Sequence, residues 1–492
     1  MTAAPGTSPS VSPVDRRLLA RRLATVVGDA HVLTGSALCG PYETDFTGRH
    51  TGRALLVVRP ADSAQVAGTV RICAAAGVPI VPQGGNTGLV GASTPGGDGT
   101  EVVLSSRRLA GIGPVDPGSR QVTVGAGVAL ADLQRHVRPY GLEFGVDLAS
   151  RDSATLGGMA ATNAGGERVL RYGTTRANVT GVEAVLADGG VLDRLAGLPK
   201  DNTGYDLAGL LVGSEGTLAV LTRLRLVLRA RMPRRVSALV ALDSLDAAVN
   251  ALTALRRLES LELAEFFTAD GLALVLEHTG LAAPFRRAHP VYLLIGCAST
   301  RDPTGELAEA VERVGALEVA VAVEDSGRRR LAAYRERHTE AVNAVGTPLK
   351  LDVTVPLPEL PGFVAELPDL LAGRAEAYLY GHLAEGNLHL NLLGVAAADE
   401  AAVVDVVLRR VAGLGGSISA EHGVGRAKAG HLHLTRSPAD IALMRAVKAA
   451  WDPAGLLNPH ALLPLPGRPA PPAHRHRPCT PLEGGPAWTA RH

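Results

Sequence analysis

The chain predicts an α+β fold in two domains, and three observations carry the prediction. At 492 residues it exceeds what one hydrophobic core organises. From about residue 53 to 230, short β-rich runs alternate with helical ones between glycine-rich turns, an α+β or α/β pattern. Near residue 231 the runs lengthen and each strand-like segment is followed by an amphipathic helix. This predicts a second, antiparallel sheet with helices on one side.

Residues 1–40 read as an N-terminal helical segment. ALLVVRP (54–60) is then a strand, SAQVAGTVRICAAAG (63–77) a helix and VPIVP (78–82) a strand, with RQVTVGAG, GVEAVLADG and LAVLTRLRLVL as later strands. In the second domain RRVSALVAL and HPVYLLIGCA are strands, followed by the helices DSLDAAVNALTALRRL and DPTGELAEAVERV. A last helix starts at Ser437, with Pro438 in its first turn and Asp440 three residues on, and WDPAGLLNP closes it. From residue 466 the Pro, Arg and His content cannot build a core and predicts a disordered tail whose histidines take no part in chemistry.

Lys plus Arg (49) nearly balance Asp plus Glu (48), without the basic excess of a nucleic-acid or membrane-surface protein. A small-molecule partner fits better. The four cysteines (Cys39, Cys73, Cys297, Cys479) are far apart and form no CxxC pair, so neither a zinc knuckle nor a disulfide framework is predicted. With no eighteen-residue apolar run and no apolar segment before the first arginines, a soluble, cytoplasmic protein is expected.

Three glycine clusters stand in the first domain: VPQGGNTGLVGAS (81–93), TLGGMAATNAGG (155–166) and LVGSEGTLAV (211–220). Successive backbone N–H groups in such loops can form an anion nest, and three loops suit a long ligand such as a dinucleotide. A nicotinamide fingerprint is only partly met: in VTVGAGVAL, Leu130 stands where the third glycine belongs, and no P-loop occurs.

The stretch YGHLAEGNLHLN (380–391) favours strand at both ends and disfavours helix in its middle. A hairpin closed by residues 384–387 would pair Leu383 with Leu388. His382 would then lie opposite His389, β-carbons about 5 Å apart, and Tyr380 opposite Asn391 on the same face.

Together VPQGGNTGLVG, TLGGMAATNAGG, YGTTRANVTGVEAVLADG (172–189), LVGSEGTL, GHLAEGNLHLN, SAEHGVGR (419–426) and the closing LLNP resemble the FAD-linked oxidases and dehydrogenases of vanillyl-alcohol oxidase type, in the D-2-hydroxyglutarate and D-lactate dehydrogenase branch. The resemblance spans about residues 40 to 465. It implies a two-subdomain FAD-binding domain (41–230), an antiparallel-sheet α+β substrate cap domain (231–415) and a C-terminal segment (416–465) that returns to the flavin. The cofactor would lie on Pro82, Gly84, Gly85, Asn86, Thr87, Gly88, Gly91, Gly157, Gly158, Asn163, Gly165, Gly216 and Asn458. Relatives with covalent FAD carry a histidine in the first loop; none stands here, so non-covalent FAD is implied.

Glu421 completes a two-histidine, one-carboxylate set with His382 and His389, suited to Zn²⁺, Fe²⁺ or Mn²⁺, and the resemblance assigns the same three residues to a divalent metal, usually zinc. His422 is expected to point away from the ion and to act as the base for a 2-hydroxy acid whose α-hydrogen passes as hydride to flavin N5. Arg335, Thr339 and Lys350 match the family's substrate contacts; Arg335 and Thr339, four apart, are expected on one helix face, and Asn391 adds a neutral donor. His338 departs from the apolar residue usual there. With two cations near, D-2-hydroxyglutarate is expected ahead of D-lactate or glycolate. A zinc hydrolase would leave the glycine loops unexplained, and a catalytically silent flavoprotein subunit would not need the intact His and Glu set. Electrons would leave to a separate acceptor, such as an electron-transfer flavoprotein or a quinone, because no haem motif or iron–sulfur cysteine set is present. A homodimer is compatible with the chain.

Overall fold

The computed structural model describes residues 15–463, so the expected tail lies outside the described residues. Two subdomains form the first domain. One holds a four-stranded sheet of order β1-β2-β4-β3, built from β1 (Val32–Leu33), β2 (Ala54–Val58), β3 (Ile80–Gln83) and β4 (Glu101–Ser105). Strands β2, β4 and β3 are parallel, and β2 and β4 read as nearly unbroken buried runs, as a parallel sheet requires. The other is an antiparallel sheet of β5 (Gln121–Gly125), β6 (Leu142–Phe144), β7 (Val179–Val185), β8 (Val191–Arg194) and β9 (Val220–Ala230). One hydrophobic core spans both subdomains.

The second domain is a seven-stranded antiparallel sheet of order β13-β10-β12-β11-β15-β16-β14. Its strands are β10 (Arg234–Leu242), β11 (Leu261–Thr268), β12 (Val291–Ser299), β13 (Glu318–Ala322), β14 (Leu349–Thr354), β15 (Glu376–His382) and β16 (Asn387–Leu393). Helices cover both faces, not one. Val236, Ala238, Val240 and Leu242 pack on the helices Leu245–Leu255, Thr304–Glu312, Leu360–Leu371 and Glu400–Gly413. Leu239 and Ala241, on the other face, pack with Leu272 of Ala269–Thr279 and Leu331 and Tyr334 of Asp325–Glu336. The signal was in β10 itself, where both parities are apolar.

Alternation separates structure from chemistry on the three strands nearest the second sheet edge. Leu351, Leu379, Leu388, Leu390 and Leu392 join the first of these cores. Lys350, Asp352, Tyr380, His382, His389 and Asn391 occupy the opposite parity and line a cavity.

The hairpin closes one position earlier than the sequence suggests, which moves each residue's cross-strand partner by two. Leu383–Glu385 forms a tight 3₁₀ turn ended by Gly386 at φ 68°, so His382 pairs with Asn387, Tyr380 with His389 and Tyr378 with Asn391. An even shift keeps every side chain on its face. His382 and His389 are therefore diagonal neighbours rather than opposite, and their rings still meet.

The C-terminal segment runs back to the first subdomain. Its helix Pro438–Trp451 has the expected capping box between Ser437 and Asp440, and Ile80 N–H donates to Leu456 O (2.8 Å) while Asn458 N–H donates to Ile80 O (2.8 Å). A buried ion network joins the domains: Arg168 binds Glu143 (2.7 Å) and Glu262 (2.9 Å), which Arg235 also contacts. Among the described residues no helix is long and apolar enough to cross a membrane.

Candidate active site

One cavity of about 610 Å³ runs from the glycine loops to the polar face of the second sheet. Pro82, Gly84, Gly85, Asn86, Thr87 and Gly88 form its first wall, with Gly157, Gly158, Gly165 and Gly216 beside them. The loops must touch one another to make that wall: a Cβ on Gly85 would collide with Ser153 O, and one on Gly84 with Thr155 Oγ1. Three residues expected to face the cofactor instead brace the loops from outside the wall. Gly91 packs against His50 and its carbonyl accepts Arg426 Nε (2.9 Å). Asn163, at φ 52°, ends the helix Leu156–Thr162 and accepts Arg176 N–H through Oδ1 (2.9 Å). Asn458 donates through Nδ2 to Ala92 O (2.9 Å) and Glu215 O (2.7 Å).

On the side of the second sheet, one oxygen of Glu421 is the centre of three imidazoles. Its Oε1 lies 3.6 Å from Nε2 of each of His382, His389 and His422, and the Nε2 atoms of His382 and His389 are 3.4 Å apart. His422 thus does not turn away from the cluster as its adjacency to Glu421 suggested. Its ring stacks on His389, centroids 5.6 Å apart.

Two buried carboxylates that sequence reasoning missed hold the opposite nitrogens. Glu265 on β11 sits 2.6 Å from His382 Nδ1. Asp352 on β14 lies 3.5 Å from Nδ1 of both His389 and His422, through different oxygens. Asp352 also accepts the N–H groups of Glu421 (2.9 Å) and His422 (3.1 Å) and Asn387 Nδ2 (2.8 Å). Asp352, His389, Glu421 and His422 also bring donor atoms within 4.8 Å of one another. The oxygens of Asp352 already accept three N–H donors, while His382, held at Nδ1 by Glu265, faces Glu421 Oε1 with Nε2. Both acids sit on largely buried strands (LELAEFFT, LKLDVT), where a carboxylate needs a partner, which was the available signal.

The electrostatics follow from this crowding. Burial alone would raise the Glu421 carboxyl, but the facing histidines, His382 foremost, hold it at about 2. Burial opposes charge on His382 too, yet Glu265 and then Glu421 carry it well above its ordinary value. His389 is lowered, chiefly by burial. Imidazole nitrogens and a carboxylate oxygen converging in this way, each ring oriented by a second carboxylate, fit a divalent transition ion.

The cations expected near the substrate differ in their freedom. Arg335 pairs with Glu265 (2.9 Å) and lies 4.4 Å over the Tyr380 ring, while its Nε is buried without a hydrogen bond. Thr339 Oγ1 meets Tyr380 OH at 2.7 Å. These residues belong to two helices, Asp325–Glu336 and His338–Val345, broken at Arg337, rather than to one face of one helix; both still reach the cavity. Lys350, half-buried in the wall, carries no side-chain hydrogen bond or ion pair among the described residues, and desolvation lowers it to about 8. Asn391 is buried beside it, paired across β14 and β16. His338 is fully buried between Phe267 and Tyr380 and is pushed down to about 3, mainly by burial, so it packs as a neutral ring in room left by Gly271.

Comparison with known proteins finds matches for both domains. The family described as FAD linked oxidases, C-terminal domain, matches residues 231–462, and the FAD binding domain family matches residues 54–194. The chain is 36% identical over 476 residues to a D-2-hydroxyglutarate dehydrogenase of Xanthomonas citri, covering 93% of this chain and 97% of that one. It is 36% identical over 444 residues to the mitochondrial D-2-hydroxyglutarate dehydrogenase of Bos taurus, covering 88% and 81%. Among solved structures, 4-ethylphenol oxidase from Gulosibacter chungangensis matches with a TM-score of 0.71 at 18% identity, over 93% of this chain and 99% of that one. p-Cresol methylhydroxylase matches with a TM-score of 0.71 at 17% identity, over 92% and 98%.

Proposed function

The chain belongs to the FAD-linked oxidases of vanillyl-alcohol oxidase type, and from that premise we propose that it oxidises a D-2-hydroxy acid, D-2-hydroxyglutarate first, to the 2-oxo acid with hydride transfer to flavin N5. The observation that carries this reading is the convergence of His382, His389, Glu421 and His422, with a Lys350 that has no side-chain partner among the described residues, in one cavity with three glycine loops. When bound, the flavin supplies the two-electron acceptor and a divalent ion supplies Lewis-acid polarisation of the substrate oxygens. His382, His389 and Glu421 would hold that ion. Asp352, facing Nδ1 of His422, would keep the proton there and leave Nε2 as the basic atom that accepts the substrate hydroxyl proton. Lys350 and the Nε edge of Arg335 would receive carboxylate oxygens.

The test is anaerobic: mixing with a panel of D- and L-2-hydroxy acids bleaches the flavin, fastest with D-2-hydroxyglutarate. Bleaching by L isomers only, or by none, rejects the assignment.

The flavin is expected to be non-covalent, since the 84–91 loop contains no histidine. Acid precipitation then leaves all the yellow colour in the supernatant. Colour retained in the pellet refutes this.

Lys350 gives a pH signature. It is charged below about 8 and neutral above, so kcat/KM for a dicarboxylate, which reports the free enzyme, falls as pH rises through that value. Lys350→Met removes this limb and narrows the preference for D-2-hydroxyglutarate over D-lactate. An equal loss for both substrates would mean that Lys350 binds the carboxylate they share.

A further inference from the structure

The motif LVGSEGTL contains an acid that neither cofactor nor substrate accounts for. Glu215 is buried and takes a left-handed backbone, φ 53°, uncommon for a residue with a Cβ. The surrounding chain holds it there: its N–H donates to Ala161 O (2.8 Å) and its carbonyl accepts Asn458 Nδ2 (2.7 Å). Its carboxylate crosses to the SAEHGVGR loop, where Oε1 accepts Val424 N–H (2.8 Å) and Oε2 accepts Gly425 N–H (2.7 Å). Gly423 (φ 83°) and Gly425 (φ 52°) flank Val424, so successive N–H groups turn to one side as an anion nest does.

The loop that carries Glu421 and His422 is thereby suspended between two carboxylates. Asp352 of the second domain holds the N–H groups of Glu421 and His422, and Glu215 of the first domain holds those of Val424 and Gly425. Glu215 and Gly216 also line the cavity at the glycine loops. Building on the proposed function, we propose that Glu215 is a positioning residue that sets the Glu421 carboxylate for the divalent ion and ties that geometry to the flavin-binding wall.

Glu215→Gln preserves shape but leaves one oxygen acceptor for two N–H donors. In the FAD-loaded protein, Zn²⁺ titration against a competing chelator is expected to give a Kd raised tenfold or more, about 1.4 kcal/mol, with flavin content unchanged and kcat recovering at excess Zn²⁺. Gly423→Ala attacks the contact from the other side, since its Cβ would stand 3.0 Å from Glu215 Oε1 at a strained φ; it gives the same result and decides the matter if Glu215→Gln does not fold. Val403→Ala, a core change on the helix Glu400–Gly413, lowers the melting temperature without moving the Zn²⁺ Kd. Wild-type Zn²⁺ affinity in both loop variants overturns this proposal alone, as does a Val403→Ala protein that loses affinity equally. A wild-type protein that binds no divalent ion overturns it together with the metal part of the proposed function.

Discussion

His422→Asn lowers kcat by about 10²–10⁴-fold, the usual worth of a positioned general base, while FAD and Zn²⁺ contents stay at wild-type levels. Asparagine retains a polar group able to face Asp352 but has no basic nitrogen. The Zn²⁺ content is decisive because His422 Nε2 lies as close to Glu421 Oε1 as the nitrogens of His382 and His389, all at 3.6 Å. A protein that loses both turnover and Zn²⁺ would make His422 a ligand and reject it as the base. Loss of single-turnover flavin reduction with the ion retained would locate the defect in proton and hydride removal.

The chemistry of this site was legible in the sequence to the extent that it depends on strand parity. The hairpin register was displaced by two residues, yet His382 and His389 met, because a strand repeats its faces every second residue and an even slip preserves them. Local signals also sufficed where the local energy dominates, as at Ser437, Pro438 and Asp440, where the cap and its reciprocal bond lie within four residues.

What escaped depends on partners distant in the chain. Asp352 and Glu265 look like chance acids in apolar strands until histidines from β15, β16 and residue 422 surround them. Gly91, Asn163 and Asn458 sit in the right loops, but whether a loop residue faces a ligand or braces its neighbour depends on tertiary packing: Gly91 is turned to His50 and Asn458 to the carbonyls of Ala92 and Glu215. The direction of His422 escaped for the same reason. Adjacent side chains on a strand diverge, but 421–425 is a loop hung from Asp352 and Glu215, and there two neighbours converge.

Removing the divalent ion has the largest expected effect of all: chelation abolishes turnover with every D-2-hydroxy acid while the flavin spectrum of the resting protein is retained, and Zn²⁺ restores activity. The separation follows from the groups involved, since the ion would be held by the side chains of His382, His389 and Glu421 while the cofactor wall is made by the glycine loops that line the same cavity. Glu421→Gln should reproduce the loss permanently. The carboxyl is held at about 2 by its three histidine neighbours, so the wild-type side chain is an anion at any working pH, and the amide removes that charge with almost no change of shape. The remaining imidazoles are then a neutral, weaker donor set, and Zn²⁺ concentrations that rescue the chelated wild type fail to rescue the variant. Full turnover in protein shown by elemental analysis to hold no divalent ion would refute the metal requirement. Zn²⁺ rescue of Glu421→Gln to wild-type kcat would show instead that the ion sits elsewhere, with Asp352, His389 and His422 as the set to examine next.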